Sequence, residues 1–322
     1  MKKVFVIIKS VSLLLVSLTL VSCKPELSAS KEISKPSDIK VLAAESFIAD
    51  IAQNVAGGRL KVEPLMPLGM DPHGFEPVPQ DIVKISESDI LIINGAGFEE
   101  WLSKVIENAG GSHLVIEASK GLQSRTTREG EVAVRNPADP VEEDHHDNDP
   151  HFWLDPISVI KYVENIRDGF IQADPTGKEV YSKNADSYIS KLKDLDQSLQ
   201  EQVNTIPVER RLIVTNHESF GYFADRYNFK IIGTIVPSVS SGSSPSAQQL
   251  ARLIDHIKST NAIAIFLETG TNPQLAEQIS KETGIKVVTN LYTHSITPKD
   301  GPAPSYLDMM KHNVKSILDA LK

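Results

Sequence analysis

The chain has 322 residues, about two domains' worth of polypeptide at 100–200 residues each. Of these, 40% are hydrophobic and 23% charged, a balance that excludes a disordered or fibrous protein. The formal charge of −9 comes with no Lys/Arg-rich run, so a nucleic-acid groove, which needs positive charge to displace counterions, is not expected.

A basic start, Met1-Lys2-Lys3, is followed by the uncharged apolar stretch Val11 to Val21. That stretch is short beside the roughly 20 apolar residues of a membrane-spanning helix, and it fits the plan of a secretory signal. It ends in Leu20-Val21-Ser22-Cys23, which resembles the lipobox of bacterial lipoproteins and implies cleavage before Cys23, lipidation of its thiol and acylation of its amine. Cys23 is the single cysteine. An internal disulfide framework is therefore excluded, as is any zinc module built on two or four cysteines. His, Asp and Glu are left for metal chemistry. Residues 1–22 carry three lysines and no acid, so their removal leaves 30 basic against 42 acidic side chains, a net of −12. Residues 23–38, rich in serine and proline, read as a flexible tether.

From Ile39 on, strands and helices alternate. Lys40 to Ala44 predicts a strand and Phe47 to Val55 a helix, with Phe47, Ile48, Ile51 and Val55 on one face. Leu60 to Leu68 predicts extended chain, leading into a proline-rich loop. Gln80 to Glu87 predicts a helix, Ile90 to Asn94 a buried strand, Gly97 to Ala109 a helix and Leu114 to Glu117 a strand. Gly121 to Asp149 loses this pattern and turns acidic. Asp155-Pro156 reads as N-cap and first residue of a helix. A long helix is expected over about Thr176 to Thr205, apolar at Tyr181, Ala185, Tyr188, Leu192, Leu195, Leu199 and Val203. It reads as a strut between two lobes, with a coiled-coil seam as the alternative.

After Pro207 the alternation restarts with strand 211–215, helix 220–227, strand 230–236, helix 246–259, strand 262–267, helix 274–283 and strand 286–290. A last helix is expected from about Pro304. The expected fold class is α/β: two similar-sized parallel-sheet lobes, 39–175 and 207–322, joined by one long rigid helix at 176–206.

Nine histidines are present. Four of them, His73, His151, His217 and His294, sit in loops that follow a predicted strand or precede a helix, where open α/β sheets bind ligands. No two are close in sequence, so spacing alone does not make them a site. Prolines stiffen the loop around His73 (Gly69-Met70-Asp71-Pro72-His73-Gly74), and Phe152-Trp153 follow His151 directly. The run Glu142-Glu143-Asp144-His145-His146-Asp147-Asn148-Asp149 reads either as a low-affinity metal collector or as a solvated acidic loop. His113, His256 and His312 receive no role.

The surrounding words are more specific: Gly69-Met70-Asp71-Pro72-His73-Gly74-Phe75-Glu76-Pro77, then Asn94-Gly95 and Glu99-Glu100-Trp101-Leu102, then His151-Phe152-Trp153-Leu154-Asp155-Pro156, then Asn216-His217-Glu218-Ser219-Phe220-Gly221. In this order the chain resembles the metal-binding lipoproteins of ABC importers, the zinc/manganese solute-binding family called ZnuA-like or TroA-like. The resemblance implies a lipid-anchored receptor on the extracytoplasmic face of a bacterial membrane. Its partners would be a permease and a cytoplasmic ATPase, and it would hold one transition-metal ion between two lobes. His73, His151 and His217 fall on three of the family's ligand positions. The fourth is usually Asp, and here His294 stands in its place.

Imidazole suits zinc, whereas manganese prefers oxygen-rich, near-octahedral sites, so three or four imidazoles favour Zn2+ over Mn2+. A monomer is expected and no catalytic role. Alternatives are a manganese receptor of the same family, a zinc hydrolase with Glu218 as base, and a surface adhesin with a structural metal.

Overall fold

A computed structural model describes residues 38–110, 113–125, 149–239, 241–242 and 244–322. The signal segment 1–22, Cys23, all of the tether but Asp38, and all of the acidic run but Asp149, with His145 and His146, lie outside the described residues. The short apolar runs become two four-stranded sheets, every pairing parallel. Strands β1 (Val41–Ala43), β2 (Val62–Pro64), β3 (Ile90–Ile93) and β4 (Leu114–Glu117) lie in the order β2-β1-β3-β4. Strands β5 (Leu212–Thr215), β6 (Lys230–Thr234), β7 (Ala264–Glu268) and β8 (Lys286–Leu291) repeat that order as β6-β5-β7-β8. The central strands β1 and β7 are buried along their whole length, as strands covered by helices on both faces must be.

The first lobe carries helices α1 (Ser46–Ala56), α2 (Pro79–Glu87), α3 (Glu100–Ala109) and α4 (Val159–Ala173). After the long α5 (Lys178–Val203) come α6 (Gly221–Tyr227), α7 (Ala247–Thr260), α8 (Gln274–Thr283) and α9 (Tyr306–Leu321). Phe47, Ile48, Ile51 and Val55 of α1 are fully buried, the stripe their spacing predicts. Ser246 and Gln249 close a reciprocal cap at the start of α7, with the Ser246 Oγ accepting from the Gln249 N–H at 3.2 Å and the Gln249 Oε1 from the Ser246 N–H at 2.7 Å.

Three elements depart from the sequence reading, each for a local reason. The helix expected to open at Asp155 begins at Val159. The Asp155 carboxylate instead accepts the Ile157 N–H at 2.9 Å and the Ser158 hydroxyl at 3.0 Å, closing a turn before the helix. The helix expected from Gly97 begins at Glu100, because Gly95, Ala96 and Gly97 all take left-handed φ angles of 84°, 54° and 81°. Of the extended run Leu60 to Leu68, only Val62–Pro64 forms a strand on the three residues of β1, although the Leu65 and Met66 N–H groups still donate to the carbonyls of Ala43 and Ala44 at 2.7 and 3.1 Å.

Helix α5 has 26 residues, about 39 Å at 1.5 Å per residue. Its seven regularly spaced apolar residues, Tyr181 to Val203, are all buried. Toward its N-terminus the Tyr181 ring packs on Phe170 of α4, and Asn184 donates to the Val55 carbonyl of α1 at 3.1 Å. Farther on, Asp196 accepts from Arg226 at 2.8 Å and from the Tyr227 hydroxyl at 3.2 Å, both on α6. The stripe is thus covered within the chain, which answers the coiled-coil alternative. The closing helix α9 ties the lobes a second time. The Tyr306 N–H donates to Asp50 of α1 at 2.9 Å, and the Tyr306 hydroxyl to the Trp153 carbonyl at 2.7 Å. One apolar core accordingly runs through both lobes.

Candidate metal centre

Ligands of open parallel sheets collect outside the carboxyl ends of the strands, where the strand order reverses. In the second sheet that point lies between β5, which leads directly into His217, and β7, whose last residue is Glu268. In the first it lies between β1, which leads into Glu45, and β3, which leads into Asn94.

Each histidine is held by its own local chemistry. His73 sits on a short helical turn, Pro72–Gly74, capped by Asp71, whose Oδ1 accepts the His73 N–H at 3.0 Å. The other Asp71 oxygen accepts the Ser241 hydroxyl from the second lobe, and the Gly69 N–H donates to Ser295 Oγ at 2.8 Å. His151 is fully buried, and Asp149 Oδ1 takes both its N–H, at 3.0 Å, and its Nδ1, at 2.8 Å. That contact makes Nδ1 the protonated nitrogen and leaves Nε2 with a free lone pair. Asn94 steadies the same loop by donating to the Pro150 carbonyl at 3.1 Å, while the Tyr162 hydroxyl donates to Asn94 Oδ1.

His217 is fully buried at the end of β5, its carbonyl accepting from Thr215 Oγ1 at 2.9 Å. His294 follows β8, and the Trp153 indole fixes the backbone beside it by donating to the Thr293 carbonyl at 2.7 Å. Both rings turn Nδ1 to a single carboxylate. His217 Nδ1 is 3.0 Å from Glu268 Oε1, close but off the line of a well-aligned hydrogen bond, and His294 Nδ1 is 3.3 Å from Glu268 Oε2.

The four rings converge. One nitrogen from each lies within 4.8 Å of the others, and the Nε2 atoms of His151 and His217 are 3.3 Å apart. The six ring-centroid separations among them all fall between 5.2 and 5.7 Å. Six nearly equal distances between four points describe a nearly regular tetrahedron. With metal–nitrogen bonds of about 2.0–2.1 Å, and a ring centroid about 1.1 Å behind its nitrogen, tetrahedral coordination places the centroids about 5.2 Å apart. Four ligands on an octahedron must include an opposed pair, which would put two centroids about 6.5 Å apart. Phe98 and Trp153 wall the cluster, with Phe98 edge-on to His73 at 5.0 Å.

Electrostatics favours neutral rings, ready to donate lone pairs, at three of the four histidines. Burial, with the neighbouring imidazoles, holds His73 down to about 2 and pushes His151 and His294 down as well. For His217 burial works in the same direction and is the largest single influence, but the charge and hydrogen bonding of Glu268, together with the charges of Asp71 and Asp149, outweigh it and the ring is raised. Glu268 is pulled well below the usual carboxylate range: burial opposes this, and His217 and His294 overcome it. Burial lifts Asp149 to about 7. The Nε2 atoms of His73 and His294 are buried without a hydrogen-bond partner among the described residues. Such orphaned groups cost about 1–3 kcal/mol each unless something fills the space between them.

All four histidines singled out in the sequence are therefore brought together. Glu268 and Asp149 were not singled out as site residues. For Glu268 the available signal was an acid closing an otherwise apolar strand, Ala264-Ile265-Phe266-Leu267-Glu268. His113 and His312 bond to the backbone carbonyls of Ser88 and Asn290, away from the cluster.

Residues 41–320 match the profile of the family "Zinc-uptake complex component A periplasmic". The chain is similar to the manganese-binding lipoprotein MntA of Halalkalibacterium halodurans, 34% identical over 283 residues and 88% of each chain. It is also similar to the metal ABC transporter substrate-binding lipoprotein SsaB of Streptococcus sanguinis, 31% identical over 313 residues and 96% of each chain. Among solved structures, a manganese-bound periplasmic metal binding protein from Candidatus Liberibacter asiaticus superposes with a TM-score of 0.75 at 28% identity, covering 88% of this chain and 100% of that one. The periplasmic zinc binding protein TroA from Treponema pallidum shares the fold with a TM-score of 0.76 at 24% identity, covering 88% and 99%.

Proposed function

The chain belongs to the periplasmic zinc-uptake complex component A family, the metal substrate-binding lipoproteins of ABC importers, and from that premise we propose that it captures one Zn2+ between His73, His151, His217 and His294. It is a transport receptor and not an enzyme, which removes the hydrolase alternative built on Glu218. As a substrate-binding component it hands its metal to a membrane permease driven by an ATPase. The proposal adds that it is monomeric and anchored through lipidated Cys23. Among the described residues no helix is long and apolar enough to cross a membrane.

The observation that carries the choice of zinc is the near-tetrahedral set of four imidazoles with no carboxylate among them. Oxygen-poor, four-coordinate sites favour zinc over manganese. A manganese cargo is the second reading, and it rests on the relatives: MntA and the streptococcal PsaA proteins are named for manganese. His73 is the least enclosed of the four, and its loop meets the second lobe through polar contacts of Asp71 with Ser241 and of Gly69 with Ser295. Withdrawal of that loop is the proposed route of release to the permease.

Competition titration of the detergent-solubilised, metal-stripped chain against a calibrated chelator tests the reading. One tight zinc equivalent with much weaker manganese supports it. Tighter manganese overturns the zinc choice and keeps the receptor. The absence of any tight site overturns the four-histidine assembly.

A further inference from the structure

We propose that Glu268 is the positioning residue of this site: it orients both second-lobe histidines, fixes their tautomer and supplies the negative charge that four imidazoles lack. The inference rests on the metal-receptor reading and deepens it. Glu268 ends β7, the strand lying between β5 and β8, and so stands between the chain segments that lead to His217 and His294. The β7–β8 register shifts between Phe266 and Glu268, a local irregularity of the kind that re-aims a side chain at the end of a strand. The residue is 5% exposed, and burying a carboxylate costs several kcal/mol unless its oxygens are engaged. Here both are: Oε1 is 3.0 Å from His217 Nδ1 and accepts the Ser219 hydroxyl at 3.1 Å, while Oε2 is 3.3 Å from His294 Nδ1.

A carboxylate can only accept. Facing two imidazoles at once, it favours a proton on both Nδ1 atoms, with Thr293 Oγ1 also 3.4 Å from His294 Nδ1, and so leaves both Nε2 lone pairs for a cation. The geometry also separates Glu268 from direct ligation, since its two oxygens meet the Nδ1 edges of the rings. Neutral ligands would leave the charge of a dication uncompensated in a buried site. A carboxylate one ring removed offsets that charge and raises the basicity of both ligands. In relatives whose fourth ligand is an acid the compensating charge is part of the ligand set; with His294 in that place it must come from behind.

The test compares full-length wild-type and Glu268→Gln chains in detergent, by zinc competition titration and by 15N NMR of the histidine rings. In the zinc-loaded wild type, His217 and His294 are expected to be protonated at Nδ1 and metal-bound at Nε2. Glu268→Gln, which keeps size but loses charge and one acceptor, is expected to weaken zinc binding about 10–100-fold. In its metal-free form one of the two rings should move to the Nε2–H tautomer. Nδ1 coordination of either ring in the wild type overturns the inference even if the variant fails to fold. An unchanged affinity with unchanged tautomers overturns it as well. A wild type without tight zinc binding would instead count against the metal-receptor reading beneath it.

Discussion

The Nε2 atoms of His151 and His217 stand 3.3 Å apart although 66 residues separate them in sequence and they arise from different lobes. Each ring has a carboxylate behind it at Nδ1, Asp149 for one and Glu268 for the other. With Nδ1 protonated on both, the facing nitrogens present two lone pairs to each other, which repel unless a proton or a metal ion lies between them. A spacing of about 3.3 Å is also the edge of a tetrahedron of metal–nitrogen bonds near 2.05 Å. The spacing therefore suits a metal ion, whose positive charge would relieve the repulsion between the two lone pairs.

Replacing His217 by an oxygen ligand should move selectivity toward manganese. His217→Glu introduces a carboxylate into a set of nitrogens, and manganese gains more than zinc from that exchange. The ratio of manganese to zinc affinity is expected to rise by on the order of tenfold, equivalent to 1.4 kcal/mol. Parallel titrations with both metals measure it. An unchanged ratio would contradict the donor-atom argument on which the choice of zinc rests.

The fourth position can be tested independently. His294→Ala should weaken zinc binding by more than about 100-fold, since removing only an outer partner of a ligand already costs 10–100-fold. His294→Asp restores an anionic donor and should recover much of that loss. If alanine leaves the affinity intact, three imidazoles hold the ion and His294 is a bystander.

How far the site could be read from sequence depended on what each residue's position needed. The histidines were legible because each lies in a distinctive local word of proline, glycine and aromatic residues. Glu268 was not, because its role exists only once β7 is inserted between β5 and β8, an order that no local pattern encodes. The lobes and the long helix followed from apolar periodicity. The start of α4 did not, because Asp155 caps a turn as readily as a helix and the choice falls to the nearby Ile157 N–H and Ser158 hydroxyl. The return of α9 onto α1, through Tyr306 and Asp50, is a contact over 256 residues and lies beyond any local signal.

Asn94 is expected to couple stability to the site. Its side chain is fully buried, accepts from the Tyr162 hydroxyl and donates to the carbonyls of Gly95, at 3.0 Å, and Pro150, at 3.1 Å. Asn94→Ala leaves those groups without their partner, at a cost of about 1–3 kcal/mol. It also frees the residue preceding His151. Urea unfolding should register the first effect and zinc titration the second, and a variant that loses stability while keeping full affinity would show that the Asn94 contacts do not position His151.

Asp50 gives a pH dependence away from the metal site. Burial, reinforced by the charge of Asp308, raises its carboxyl from 3.8 to about 6, even though the Tyr306 N–H bonded to it opposes the shift. A raised acid binds its proton more tightly in the folded chain than in the unfolded one. Its contribution is therefore fully present below about pH 4 and is lost as pH rises toward and through 6. Asp50→Asn keeps an acceptor for the Tyr306 N–H and removes the titration. The variant should gain about 1–3 kcal/mol relative to wild type between pH 4 and pH 7, one unit of pKa being worth about 1.4 kcal/mol. Urea midpoints of both chains at the two pH values measure this double difference, in which all other titrating groups cancel. A difference that stays constant with pH would mean that Asp50 remains ionised in the fold and that the α1–α9 contact is a charged one.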